Sequence, residues 1–202
     1  KINHRVVQMK FSIPSEIFVR MANAAARPTD DKHPELSVIR LEYRDGKYFC
    51  VASTSWVIAV EYMGPTKEPN GFVNVPIDAG LMENLRCEPG LDVEFDHYPD
   101  FDVLTSPTYP TISLQPVKID IPMFNRWPDI FPAVLQRVDY GFLYIQSEYF
   151  QRLADASPSG KLCFPEVIDN RRVTIIRDKD DPNWIGGFLP TDITETAKPA
   201  TR

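Results

Sequence analysis

Over residues 6–13, Val7, Met9, Phe11 and Ile13 alternate with Val6, Gln8, Lys10 and Ser12, a period of two that predicts a β-strand. Pro14-Ser15-Glu16 then opens a segment with a different period. Ile17, Phe18, Met21, Ala22 and Ala25 fall on one face of a helix, Glu16, Arg20, Asn23 and Arg27 line the other, and Pro28 stops it. After a polar loop at 29–35, the pattern predicts a strand at 36–43, a two-residue turn at Asp45-Gly46, and a second, long strand over the β-branched and aromatic run 47–63. The order then restarts. Residues 71–76 predict a short strand and 77–87 a helix with Leu81, Met82 and Leu85 on its stripe, ended by Pro89-Gly90. Residues 91–98 and 102–114 supply another strand pair around Pro99-Asp100. A proline-rich connector follows at 115–134, containing Arg126-Trp127-Pro128-Asp129-Ile130-Phe131-Pro132.

Beyond the connector the first unit recurs in the sequence itself. Ser147-Glu148-Tyr149-Phe150-Gln151-Arg152-Leu153-Ala154-Asp155-Ala156 lies over Ser15-Glu16-Ile17-Phe18-Val19-Arg20-Met21-Ala22-Asn23-Ala24, with six of ten residues identical at an offset of 132. Each copy follows a strand, 140–146 for the later one. Each also precedes a hairpin with a tryptophan in its last strand: Asp45-Gly46 then Trp56, and Asp169-Asn170 then Trp184. A period of this size is that of a small domain, not of a solenoid repeat. The expected division is a complete two-unit domain at 1–118, a linker at 119–137, a third unit at 138–190 and a flexible polar tail at 191–202. The fold class is α+β, with repeated strand-helix-strand-strand-strand units, antiparallel sheets and helices on one side.

Charge and cysteine content narrow the setting. With 22 basic against 28 acidic side chains the formal net charge is −6, and a quarter of the residues are charged. No uninterrupted apolar stretch, Trp56 to Val60 included, comes near the roughly 20 residues that cross a bilayer, so no membrane association is expected. Residues 1–10 lack the apolar core of a signal peptide. Cys50, Cys87 and Cys163 are an odd number at wide spacing without a CxxC, which points to a reducing, cytoplasmic compartment.

Catalytic chemistry finds little support. Glu94, Asp96, His97, Asp100 and Asp102 form an acidic and histidine-bearing cluster, whereas His4 and His33 sit in an N-terminal arm and a polar loop. On a single strand, however, Glu94 and Asp96 share a face while His97 points the other way, and Asp100 falls at the hairpin tip. No Gly-rich phosphate loop, GxSxG or HExxH occurs, so neither a metal, a cofactor nor an enzymatic activity is expected.

The block order, two consecutive strand-helix-strand-strand-strand halves and then a recurrence, resembles the DNA sliding clamps, most closely the bacterial polymerase III beta type. The run Asp45-Gly46-Lys47-Tyr48-Phe49-Cys50-Val51-Ala52-Ser53-Thr54-Ser55-Trp56-Val57-Ile58-Ala59-Val60 is similar to the hairpin of that family, with Ser53-Thr54-Ser55 at its usual Ala-Thr-Asp position. Arg126-Trp127-Pro128-Asp129 through Pro132 resembles the Arg-Phe-Pro-Asp and following proline that bacterial clamps carry before a new domain.

The resemblance implies a processivity factor that encircles duplex DNA, holds it weakly and topologically, and tethers a polymerase. It assigns Arg20, Arg27, Arg86 and Arg152, on the predicted helices, to DNA. It assigns Trp127, Ile130, Phe131 and Leu135 of the connector, with Phe188, Leu189 and Pro190, to docking of a DNA polymerase or other replication protein. Charge weighs against strong duplex binding, because Glu16, Asp78, Glu83, Glu148 and Asp155 outnumber those four arginines. The alternative is a clamp-fold interaction protein without ring function that binds or inhibits a replication or repair protein. In such a family half-units pair, which leaves the third unit here without a mate. Its Leu143, Tyr149, Phe150, Ile175 and Trp184 are then expected on an uncovered face, and the chain is expected to form a homo-oligomer.

Overall fold

The computed structural model describes residues 9–26, 33–98, 102–118, 122–131, 146–163 and 174–188. The first unit supplies β1 (Met9–Pro14), α1 (Ser15–Met21), β2 (Val38–Arg44), β3 (Lys47–Ser53) and β4 (Val57–Pro65). The second supplies β5 (Gly71–Pro76), α2 (Ala79–Cys87), β6 (Asp92–Tyr98), β7 (Val103–Thr105) and β8 (Ser113–Leu114). The connector holds two short helices, α3 (Pro122–Asn125) and α4 (Trp127–Ile130), and the third unit holds α5 (Ser147–Ala156), β9 (Leu162–Cys163), β10 (Thr174–Asp178) and β11 (Trp184–Phe188).

Local chemistry sets several of these boundaries. Asp45 and Gly46 both adopt positive φ, +50° and +72°, the twist that joins β2 to β3 through a two-residue hairpin. The Asp78 side chain accepts the Leu81 N–H at 3.0 Å and so caps α2. Where one long strand is expected at 47–63, the chain instead turns at Ser53–Trp56. Thr54 Oγ1 accepts the N–H groups of Trp56 and Val57, both at 3.1 Å, so a hydroxyl offers the backbone a partner in place of the ladder. The run 102–114 divides likewise, between Pro107 and Ile112, where Tyr109 N–H donates to Ser106 O and Ile112 N–H to Tyr109 O.

Two antiparallel sheets result, one of seven strands in the order β5-β2-β3-β4-β11-β10-β9 and one of four in the order β1-β6-β7-β8. The first strands of units one and two have changed places. Strand β1 pairs with β6, setting Phe11 opposite Phe95, and β5 pairs with β2, setting Val73 opposite Leu41. Each unit therefore completes the other's sheet. The shared core joins Phe11 to Tyr43, stacked at 4.7 Å, and Phe18 to Phe95 at 5.9 Å. It takes in the helix stripes Phe18, Met21, Leu81, Leu85, Leu153 and Ala156, all on the face of the large sheet that carries Ile39, Leu41, Ala52 and Ala59. Burying each of the larger of these side chains, such as Phe18 or Leu153, stabilises by about 1.5–3 kcal/mol before the entropic cost.

The third unit corrects an expectation. It is not left with an uncovered face: Ile175 and Trp184 are fully buried, and Tyr149 and Phe150 are half-buried; Leu143 lies outside the described residues. Strand β11 pairs antiparallel with β4, from Trp184 opposite Glu61 to Phe188 opposite Val57, and α5 packs beside α1. The physical reason is that β4 and β11 are each the open edge of their own unit, and an unpaired edge is satisfied by another. The connector is also more than a spacer, since α3 and α4 lie over the opposite face of the large sheet. The expected strand at 140–146 except Gln146, the Asp169-Asn170 turn and the tail at 191–202 lie outside the described residues.

Candidate functional site

Helix α1 packs against both α2 and α5, so the three helices form one wall on the inner face of the large sheet. Two of the four arginines assigned to DNA have their guanidinium groups engaged within this wall. Arg20 donates to both carboxylate oxygens of Glu61, at 2.8 and 2.9 Å, and to the carbonyl of Ala156 at 2.7 Å. Arg152 donates to Glu148 Oε1 at 3.0 Å and to the carbonyl of Ala25 at 3.0 Å. Their side chains are only 18% and 13% exposed, so the structure gives them the partners of a packing residue, where a phosphate contact was expected. Arg86 stands exposed on α2, and Arg27 lies outside the described residues.

The acidic side chains of the wall face outward. Glu16, Asp78, Glu83, Glu148 and Asp155 are all exposed, as is Glu88 just past α2. With Arg20 and Arg152 turned inward, the potential presented by the described wall is negative, and a duplex brought against it meets like charge. Glu61 is the buried acid: burial pushes its carboxyl above the usual range, against the opposing pull of Arg20.

The opposite face of the sheet carries Val38, Val51, Ile58 and Val60, and over it lie Phe124 and Trp127, with Ile130 and Phe131 half-buried alongside. Three charged residues of β2, Arg40, Glu42 and Arg44, sit on this face, Arg44 paired with Glu42 and lying 5.6 Å from the Trp127 ring centroid. Arg40 is 1% exposed; it donates to Asn74 Oδ1 at 3.0 Å, Phe124 O at 2.8 Å and Asn125 Oδ1 at 3.2 Å. Its guanidinium lies 4.1 Å from the Phe72 ring centroid and 5.0 Å from that of Phe124, and burial lowers its pKa to about 10. Glu42 accepts the indole N–H of Trp127 at 2.8 Å, while Trp127 packs edge-on to Phe49 at 4.9 Å. Trp127 is thus an anchor of the connector. Phe188 is buried on the inner face, so the sheet separates it from Trp127; Leu135, Leu189 and Pro190 lie outside the described residues.

The acidic and histidine-bearing cluster does not assemble into a site. Asp96 pairs with Lys10 at 3.5 Å and accepts from Tyr98, Asp102 pairs with Lys118 at 2.7 Å, and Glu94 is exposed; Asp100 lies outside the described residues. Among the described residues no group of three His, Cys, Asp or Glu is placed to hold a metal ion, and no helix is long and apolar enough to cross a membrane. Sequence reasoning missed Arg40 and Glu42. Their positions i and i+2 on β2, with Val38 before them, read as an ordinary solvated face, and the signal that they are covered is the aromatic and proline content of the connector.

No protein-family model matches the sequence, and no curated protein matches it. Solved structures do. A sliding clamp (DNA polymerase III subunit beta) from Pseudomonas aeruginosa bound to griselimycin is similar with a TM-score of 0.65 at 14% identity, over 95% of this chain and 67% of that one. The subunit from Borrelia burgdorferi, in complex with a natural product, gives 0.67 at 11% identity, over 95% and 65%. That from Thermotoga maritima gives 0.61 at 11% identity, over 95% and 67%. The chain spans about two thirds of the length of these clamps.

Proposed function

From the sliding-clamp fold that this chain has, we propose that it is a clamp-type processivity factor of DNA replication. In this reading it works without chemistry, holding duplex DNA topologically and tethering a polymerase or other replication protein. The single observation that carries the reading is the wall of three helices, α2, α1 and α5, backed by one continuous sheet that runs from unit one into unit three. Arg86 is the exposed basic group of the described wall and is assigned to phosphate contact, as is Arg27 from its place in the sequence, and Arg20 and Arg152 act by holding the wall together. Docking of the protein partner falls to the outer face beside the connector, where Ile130 and Phe131 remain partly exposed; Leu135 is included from its place in the sequence alone.

The acids on the wall favour a second reading, a clamp-fold interaction protein without ring function that binds or inhibits a replication or repair protein. Fluorescence anisotropy on a short linear duplex over a salt series separates strong surface binding from both. A wall with so few available cations releases few counterions, so weak binding with a shallow salt slope is expected. Tight or sequence-specific binding to the linear duplex contradicts the proposal.

A further inference from the structure

The junction between units one and three is built from equivalent parts of a repeat. Arg20 and Arg152, equivalent at the offset of 132, each reach across to a carbonyl near the C-terminal end of the other's helix: Arg20 to Ala156 O, the last residue of α5, and Arg152 to Ala25 O, past α1. Asn23 and Asp155, also equivalent, touch at 3.2 Å. Strands β4 and β11, each the last of its unit, pair antiparallel. These are the reciprocal contacts of a two-fold interface, here made within one chain.

The third unit is held by unit one, through β4, α1 and the turn after α1, whereas units one and two are interlocked by their exchanged first strands. Its departure breaks no strand pairing within the domain that stays behind, but it opens the shared core at Leu153, Trp184 and Phe188, so the exposed faces favour rebinding a third unit. Residues 132–145 separate the connector helices from α5, and a stretch of that length reaches at most roughly 50 Å.

We propose that the third unit exchanges between two copies of this chain, the β11 edge and α5 of one docking on β4 and α1 of the other. Every contact of the closed chain is kept in the exchanged form, so the two differ mainly by the entropy of association, and concentration sets the balance. This goes beyond the clamp reading and stands whether or not DNA is bound.

Two chains with one exposed cysteine each test it, Asn23→Cys in one and Asp155→Cys in the other, both exposed positions, in a Cys87→Ser, Cys163→Ser background with Cys50 left buried. A closed chain of either kind has no second thiol at the junction. After the two are refolded together at increasing concentration and oxidised, exchange predicts a covalent heterodimer of two 23.1 kDa chains whose yield rises with concentration. Circular dichroism of each chain alone checks that both variants fold. Absence of the heterodimer from folded chains overturns the proposal. So does formation of only Asn23→Cys homodimers, which would mean that unit one meets unit one.

Discussion

Asn23 and Asp155 occupy the same place in two copies of one sequence repeat, and the Asn23 amide donates to the Asp155 carbonyl at 3.2 Å. Residues that are equivalent in a repeat touch only near an axis relating the copies, so this contact locates the symmetry of the junction. Around it Arg20 and Arg152 bind across in opposite directions, which turns side chains that look like a DNA-facing row into ties between two units.

Arg20→Ala leaves the Glu61 carboxylate, 6% exposed, without its countercharge. A loss of about 3–5 kcal/mol in unfolding free energy is expected. Adding Glu61→Gln to Arg20→Ala is expected to restore part of it, because the uncompensated charge is gone. Denaturant unfolding of the two variants checks this, and equal stability of both contradicts the buried-pair account.

Trp127→Ala opens a cavity under the connector and strips Glu42 of its indole donor, for a loss of about 3–5 kcal/mol. Trp127→Phe keeps most of the packing and loses the bond, about 1–3 kcal/mol. A near-neutral alanine variant would instead make Trp127 a surface residue free for a partner.

Asp178 gives the chain an acid-sensitive clasp. Burial pushes its carboxyl up, but the hydroxyls of Ser157 and Ser159 and the backbone N–H groups of Ser159 and Asp180 outweigh this and hold it well below the usual range. The folded-state value is thus lower than the unfolded one. Its contribution is complete above the ordinary aspartate value and is lost as pH falls through that value toward the folded one. Asp178→Asn is expected to be less stable at neutral pH and to lose less stability between about pH 5 and 2. Parallel pH profiles for the two proteins would contradict the assignment.

Gly186 lies where β11 passes under α5. A Cβ there would stand 2.7 Å from the Trp184 ring and 3.0 Å from Leu153 Cδ2. Gly186→Ala is expected to cost about 1–3 kcal/mol and to loosen the third unit first. Hydrogen exchange should therefore rise in β10 and β11 while the amides between β1 and β6 keep their protection.

The alternation at β1, the helix stripes and the duplication of the Ser15 segment at Ser147 were all legible, because periodicity and identity are properties of the chain itself. The turn at Thr54 was hidden in a β-branched run, since a side-chain hydroxyl and a ladder compete for the same N–H groups and only the fold decides between them. The fate of Arg20 and Arg152 was hidden for a related reason. A helix pattern shows that an arginine faces away from its own stripe, and it says nothing of a second helix laid alongside. Likewise, Trp184 reads as exposed until β11 is seen to take the edge of β4, a pairing between residues far apart in sequence.

Retention on DNA of changing topology tests the clamp reading most directly. The chain, loaded on a nicked circular duplex and passed over a sizing column at moderate salt, is expected to travel with the circle and to be lost when a single cut makes the circle linear. Release that is indifferent to the cut, or equal retention on linear and circular duplex, contradicts encirclement and leaves the fold to an interaction protein.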